Sequence, residues 1–173
     1  MTLVDIVVED PGWQQIPLAD LANRAARVAL GENRLDPERF EISLLACSDD
    51  RIAELNEEFR GKAEATNVLS WPAFNLVPGA GTGLPRAPDG TRLPLGDVAI
   101  ALQTTRAEAA AAAIPLKNHI LHLILHSTLH LLGYDHLHEA EAEKMERMES
   151  AVLARIGVPD PYNRGDAAGP QVE

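Results

Sequence analysis

The stretch HSTLHLLGYDH, residues 126–136, places three histidines on an otherwise apolar run. Residues i and i+4 of a helix share one face, with Cβ atoms about 6 Å apart, so His126 and His130 can direct ring nitrogens at one ion. Gly133 suits the left-handed conformation that ends a helix, which would let the chain turn and bring His136 back as a third ligand. The spacing therefore predicts a helix that carries a metal site at its carboxyl end.

The other histidines bear on the choice between packing and metal binding. All six histidines of the chain lie between residues 119 and 138. A single histidine in a buried helix is usually a hydrogen-bonded packing residue. Two adjacent buried imidazoles are costly if unsatisfied, whereas a shared cation binds both in their neutral form. We therefore interpret the triplet as the metal site, His122 as a core residue or a neighbour of the ligands, and His119 and His138 as surface residues or neighbours of the ligands.

The ligand set also indicates a class of chemistry. Three imidazoles without a cysteine leave an open fourth position on a tetrahedral ion, as in catalytic zinc sites. Such an ion lowers the pKa of water and polarises a substrate oxygen, which predicts hydrolysis. We expect one divalent metal ion, with Zn²⁺ as the first choice, although nickel and copper also suit three imidazoles.

The same spacing matches the HExxHxxGxxH pattern of metzincin peptidases at every histidine and at the glycine. These peptidases need a glutamate directly after the first histidine as general base. Here that position is Ser127, whose hydroxyl is no base near neutral pH. A metallopeptidase-like hydrolase is therefore kept as an alternative only.

Composition sets the wider limits. A chain of 173 residues, 46% hydrophobic and 24% charged, is typical of one globular domain. We predict that domain over residues 1–157 and a flexible C-terminal tail over 158–173. The N-terminus does not resemble a signal peptide, no run is long enough to span a membrane, and Cys47 is the only cysteine, so we expect a cytoplasmic location. The formal net charge of −11 repels nucleic acid, so that any RNA needs a local basic surface.

Outward from the histidine helix, the pattern predicts a sheet with helices against it. Strands are predicted at 3–8, 40–47, 67–71 and from 95, and helices at 18–30, 51–59, 104–114, from 115 and at 139–156. Asp49 or Asp50 is the expected N-cap of the second helix, and Thr104 or Thr105 that of the third. The Pro/Gly-rich segment 75–94 is either a surface insertion or a flap over substrate.

Several segments together resemble one known family. HSTLHLLGYDH resembles the HGxLHLxGYDH signature of the YbeY family, metal-dependent endoribonucleases that act in rRNA maturation. FRGKAEATNVLSWP, residues 59–72, is similar to that family's segment with RGK and TNVLSFP, and LGDVAIA resembles its following strand. The resemblance implies an α+β fold with a small mixed sheet of about four strands packed on helices. It also implies activity on single-stranded RNA, and one metal held by His126, His130 and His136.

The resemblance further implies a catalytic role for Arg60, beside the three histidines. A guanidinium suits a phosphate because it offers two parallel donors and a permanent charge. A surface ion pair with Glu57 or Glu64 is the alternative. No residue is identifiable as general base, and Asp135 either orients a ligand imidazole or caps the turn.

The expected function is small-subunit 16S rRNA 3′-end processing and ribosome quality control. The expected partners are single-stranded rRNA, the small ribosomal subunit and ribosome-assembly proteins, with no membrane. A non-catalytic ribosome-assembly factor with a structural metal is the alternative outside enzymes.

Overall fold

The computed structural model describes residues 2–78, 84–85, 87–135 and 138–162. Within this part of the chain, strands and helices follow one another in the predicted order. The strands are β1 (Val4–Val8), β2 (Phe40–Cys47), β3 (Val68–Pro72) and β4 (Leu93–Ala101). The α-helices are α1 (Leu18–Glu32), α2 (Asp49–Arg60), α3 (Leu102–Ala111), α4 (Leu116–Leu131) and α5 (Glu139–Arg155), with short 3-10 turns at Pro11–Gln15 and Pro37–Arg39.

The sheet is mixed, with strand order β1-β2-β4-β3. β1, β2 and β4 are parallel, and β3 pairs antiparallel with β4 at one edge. Alternate residues of β2, such as Ile42 and Leu44, are buried in the main core together with apolar residues of α1 and α4. The opposite face is covered in part by α2, where Ile52 and Leu55 pack with Cys47. The predicted α+β fold with a small mixed sheet is therefore confirmed.

Helix α4 lies at the centre of the molecule, and most of its residues are buried. Its sequence is apolar on nearly every side, which is typical of a helix enclosed by neighbours. It packs against α1, α3, α5 and β3. No helix in the described part of the chain is long and apolar enough to cross a membrane.

The end of α4 is fixed by Gly133, as predicted. Gly133 has a φ of +99°, and its amide donates to the carbonyl of His130 at 3.0 Å. A Cβ at this position would lie 2.2 Å from the carbonyl oxygen of Leu76, so only glycine allows the segment after β3 to approach. This close approach holds the chain after Pro72 against the carboxyl end of α4.

The two predicted helix caps were wrong. The N-cap of α2 is Ser48, whose hydroxyl accepts a hydrogen bond from the amide of Arg51 at 3.2 Å. Helix α3 begins at Leu102 without a side-chain cap. Asp49 and Thr104 instead bond to each other, since the Asp49 carboxylate accepts from the Thr104 amide at 2.8 Å and from its hydroxyl at 2.7 Å. The polar residues near both helix starts thus join α2 to α3.

The segment predicted as a flexible tail begins with residues that contact the domain. Val158 is buried, and its amide donates to the carbonyl of Leu153 at 2.9 Å. The Tyr162 hydroxyl donates to the carboxylate of Glu149 on α5. Residues 163–173 lie outside the described part of the chain.

Candidate functional site

His126 and His130 face each other one turn apart at the carboxyl end of α4. Their Nε2 atoms are 3.0 Å apart, and their ring planes are nearly perpendicular, at 82°. On the opposite side of each ring, Nδ1 forms a hydrogen bond to an oxygen. His126 Nδ1 donates to the carboxylate of Glu149, and His130 Nδ1 donates to the backbone carbonyl of Tyr134 at 3.0 Å. The i, i+4 spacing therefore directs the two imidazoles at one point, as predicted.

These oxygen partners determine which nitrogens carry the protons. A carbonyl oxygen only accepts. Burial raises the pKa of Glu149, but hydrogen bonds from His122 and His126 and the attraction to their charged forms outweigh burial and hold the pKa at about 2, so this carboxylate also accepts. If both rings are neutral with the proton on Nδ1, both Nε2 atoms present lone pairs to a cation between them. A cation about 2.0–2.1 Å from each Nε2 would bridge this pair. The two residues fit a metal ion.

The predicted third ligand, His136, lies outside the described residues. The described chain stops beside it at Asp135, which lines the same cleft as His130. Among the described residues, no group of three or more histidine, cysteine, aspartate or glutamate side chains forms a metal site. The assignment of His136 therefore stays a prediction.

A cleft of about 630 Å³ opens beside His130. Arg60 and Lys62 form one side of it, Phe74 lies on the segment after β3, and Asp135 follows the end of α4. Strand β3 and the Gly133 turn bring these distant parts of the sequence together. The first residues of the Pro/Gly-rich segment thus line the cleft, while residues 79–83 and 86 lie outside the described part of the chain.

Arg60 is exposed at the last position of α2, which ends at Gly61 in a left-handed conformation with φ of +73°. Its guanidinium donates to the carbonyl of Ser70 at 3.5 Å. Within the described part of the chain it forms no ion pair with Glu57 or Glu64, the alternative considered from the sequence. The guanidinium therefore lies on the wall of the cleft that also contains His130.

Sequence reasoning missed Glu149, which is fully buried. Besides accepting from His126, its carboxylate lies 3.6 Å from Nε2 of His122 and accepts from the Tyr162 hydroxyl. The available signal was an acid on an apolar helix face, since Met145 and Val152 precede and follow it at helical spacing and both are buried. A carboxylate on such a face needs a buried donor.

The remaining histidines divide between core and surface. His122 is buried, as predicted for a core residue, and it lies beside Glu149. His119 was expected at the surface or beside the ligands. It is fully buried and its Nε2 pairs with the Glu108 carboxylate at 2.9 Å, so the surface alternative was wrong. His119 is buried because α4 is enclosed by apolar neighbours. His138 is exposed immediately before α5.

Ser127 permits a stability prediction. Its side chain is fully buried, and its hydroxyl has no hydrogen-bond partner among the described residues. A buried, unsatisfied hydroxyl costs about 1–3 kcal/mol, so Ser127→Ala should raise the free energy of unfolding by about 1 kcal/mol in urea titrations. Thr128→Ala is the matched control, because the Thr128 hydroxyl donates to the carbonyl of Ile124 at 2.8 Å and its loss should destabilise. Equal destabilisation by both changes would contradict this account.

Comparisons with known proteins find similarity to one family. The family model described as Endoribonuclease YbeY matches residues 9–157. A protein named Endoribonuclease YbeY from Ruegeria pomeroyi is 51% identical over 166 residues, covering 94% of this chain and 98% of that relative. A protein of the same name from a Jannaschia species is 47% identical over 159 residues, covering 92% and 99%. The solution structure of a Thermotoga maritima protein matches with a TM-score of 0.55 at 21% identity, over 88% of this chain and 91% of that one, which is a likeness of fold.

Proposed function

Because this chain belongs to the YbeY endoribonuclease family, we propose that it is a metal-dependent endoribonuclease that cleaves single-stranded RNA during maturation of ribosomal RNA. The proposed reaction is small-subunit 16S rRNA 3′-end processing. The observation that supports it most is the location of Arg60 and His130 on one cleft, with the Nε2 atoms of His126 and His130 directed at each other.

The proposed metal ligands are His126, His130 and His136, and the proposed ion is Zn²⁺. When bound there, the ion supplies Lewis acidity to water and to a phosphodiester oxygen. A hydrogen bond from Nδ1 to Glu149 orients the ring of His126, and one to the Tyr134 carbonyl orients the ring of His130. Both ligand rings are thus oriented before any substrate arrives, which lowers the cost of assembling the site.

Arg60 is proposed to bind the scissile phosphate or the phosphate next to it. Its planar fork can donate two parallel hydrogen bonds to phosphate oxygens. Lys62 adds a second positive charge to the cleft, and the half-buried Phe74 offers an aromatic surface for a base. Positive charge combined with an aromatic side chain is typical of single-strand binding, in which bases stack and phosphates pair.

The proposed setting is the cytoplasm, with the small ribosomal subunit and ribosome-assembly proteins as partners. A net charge of −11 leaves few positive charges for contacts with phosphates, so partners would contribute to recruitment. Ribosome quality control is the proposed wider role.

A cleavage assay tests the proposal. Zinc-loaded protein should cut single-stranded RNA, leave double-stranded RNA intact, lose activity with a chelator and regain it when Zn²⁺ is restored. Nickel and copper are tested in parallel to identify the ion. Cleavage of peptides but not RNA would favour a metallopeptidase. Ribosome binding without any cleavage, and unchanged when the histidines are replaced, would favour an assembly factor with a structural metal.

A further inference from the structure

A chain of polar groups leads from His126 away from the cleft to the C-terminal segment. His126 Nδ1 donates to one oxygen of Glu149, and the other oxygen accepts from the Tyr162 hydroxyl. Glu149 is fully buried, while Tyr162 is 42% exposed, so the tyrosine reaches inward from the surface. We propose that Glu149 and Tyr162 are positioning residues for the metal ligand His126, and that residues 157–162 complete the metal centre. This inference rests on the metal centre of the proposed function.

The Glu149 carboxylate has a specific place in this arrangement. A buried carboxylate is stable only where donors satisfy its oxygens. Here each oxygen has its own donor, one from a ring on α4 and one from the segment after α5. His122 lies at the same carboxylate, 3.6 Å from Oε1 and 3.4 Å from the tyrosine oxygen. The carboxylate is therefore held in one orientation rather than free to turn.

A carboxylate behind a ligand imidazole has three effects on metal binding. It keeps the proton on Nδ1, so that Nε2 presents its lone pair to the ion. It also fixes the plane of the ring and raises the basicity of the ligand nitrogen. All three favour binding at the Nε2 of His126, which faces His130.

Separate contacts place Tyr162 at this carboxylate. α5 ends at Arg155, and Gly157 turns the chain with a φ of +76°. The carboxylate of Asp160 then accepts from the Ser150 hydroxyl and from the Tyr162 amide, each at 2.9 Å. These hydrogen bonds attach the segment to α5 independently of the Glu149 contact. They therefore fix the position of the Tyr162 hydroxyl.

The test measures zinc affinity by competition with a chromogenic chelator, using the full chain. Glu149→Gln should weaken Zn²⁺ binding about 10–100-fold, the usual cost of losing such a partner. Tyr162→Phe keeps the ring and should weaken binding about fivefold, the value of one hydrogen bond. Glu108→Gln is the matched control. It removes a carboxylate that pairs with His119, which lies on the same helix as His126 but away from the ligands. Its zinc affinity should equal that of the unsubstituted protein.

A second measurement separates positioning from general stability. Ring ¹⁵N shifts of His126 in metal-free protein should report the Nδ1–H tautomer, and Glu149→Gln should shift it toward a mixture. If Glu149→Gln does not fold, Tyr162→Phe decides. Unchanged zinc affinity in both variants, together with zinc loss in His126→Ala, would overturn this inference alone. Full zinc retention in His126→Ala would instead overturn the metal centre of the proposed function.

Discussion

His126→Ala, His130→Ala and His136→Ala should each lose most of the zinc that the proposed site binds and, with it, RNA cleavage. Tetrahedral zinc sites bind with apparent free energies of roughly 10–16 kcal/mol, or about 3 kcal/mol per ligand. Loss of one ligand should therefore weaken zinc binding more than about 100-fold. Elemental analysis of purified variants, normalised to protein, measures this directly.

Two controls accompany the ligand variants. His138 is exposed outside the cleft, so His138→Ala should keep full zinc content and an unchanged melting temperature. His119→Ala should also keep its zinc but melt earlier, because His119 is fully buried against Glu108. Full zinc occupancy in all three ligand variants would show that the ion binds elsewhere.

Local sequence patterns predicted α4 and its end because the necessary information lies within a few residues. The i, i+4 spacing of His126 and His130 survives in any helix, and Gly133 adopts the conformation that few other residues tolerate. Strand positions were also predictable from apolar composition. The residues that cap the helices were harder to predict, since Ser48 rather than a neighbouring aspartate caps α2. Both kinds of side chain cap helices well, and Asp49 instead forms a tertiary hydrogen bond with Thr104.

The groups behind the ligands could not be predicted because they come from distant parts of the chain. Glu149 reaches His126 only when α5 packs beside α4, and Tyr162 reaches Glu149 only after the chain turns at Gly157. Sequence reasoning considered Asp135 as an orienting group because it neighbours His136. For His126 that place is taken by Glu149, and for His130 by a backbone carbonyl, which no side-chain pattern reveals.

Arg60→Ala should lower the rate of RNA cleavage about 100–1,000-fold, or roughly 2.7–4 kcal/mol, as expected for removing a donor that stabilises charge in a transition state. Arg60→Lys should recover only part of the rate, because the ammonium keeps the charge but lacks the planar fork. The measurement is single-turnover cleavage of single-stranded RNA by zinc-loaded protein. Pre-rRNA accumulation in cells carrying each variant gives a second readout.

Stability should scarcely change in Arg60→Ala, which separates a role in substrate binding from a role in folding. The side chain is exposed, and its hydrogen bond to the Ser70 carbonyl is long, at 3.5 Å. Arg51→Ala is the matched control on the same helix, since Arg51 pairs with Glu9 at 3.3 Å and Glu54 at 3.1 Å outside the cleft. Exposed pairs contribute about 0–1 kcal/mol, so this control should cut RNA normally. If Arg60→Ala also cuts RNA normally with full zinc content, Lys62 becomes the cation to test among the described residues of the cleft, and the phosphate contact must be reassigned to it.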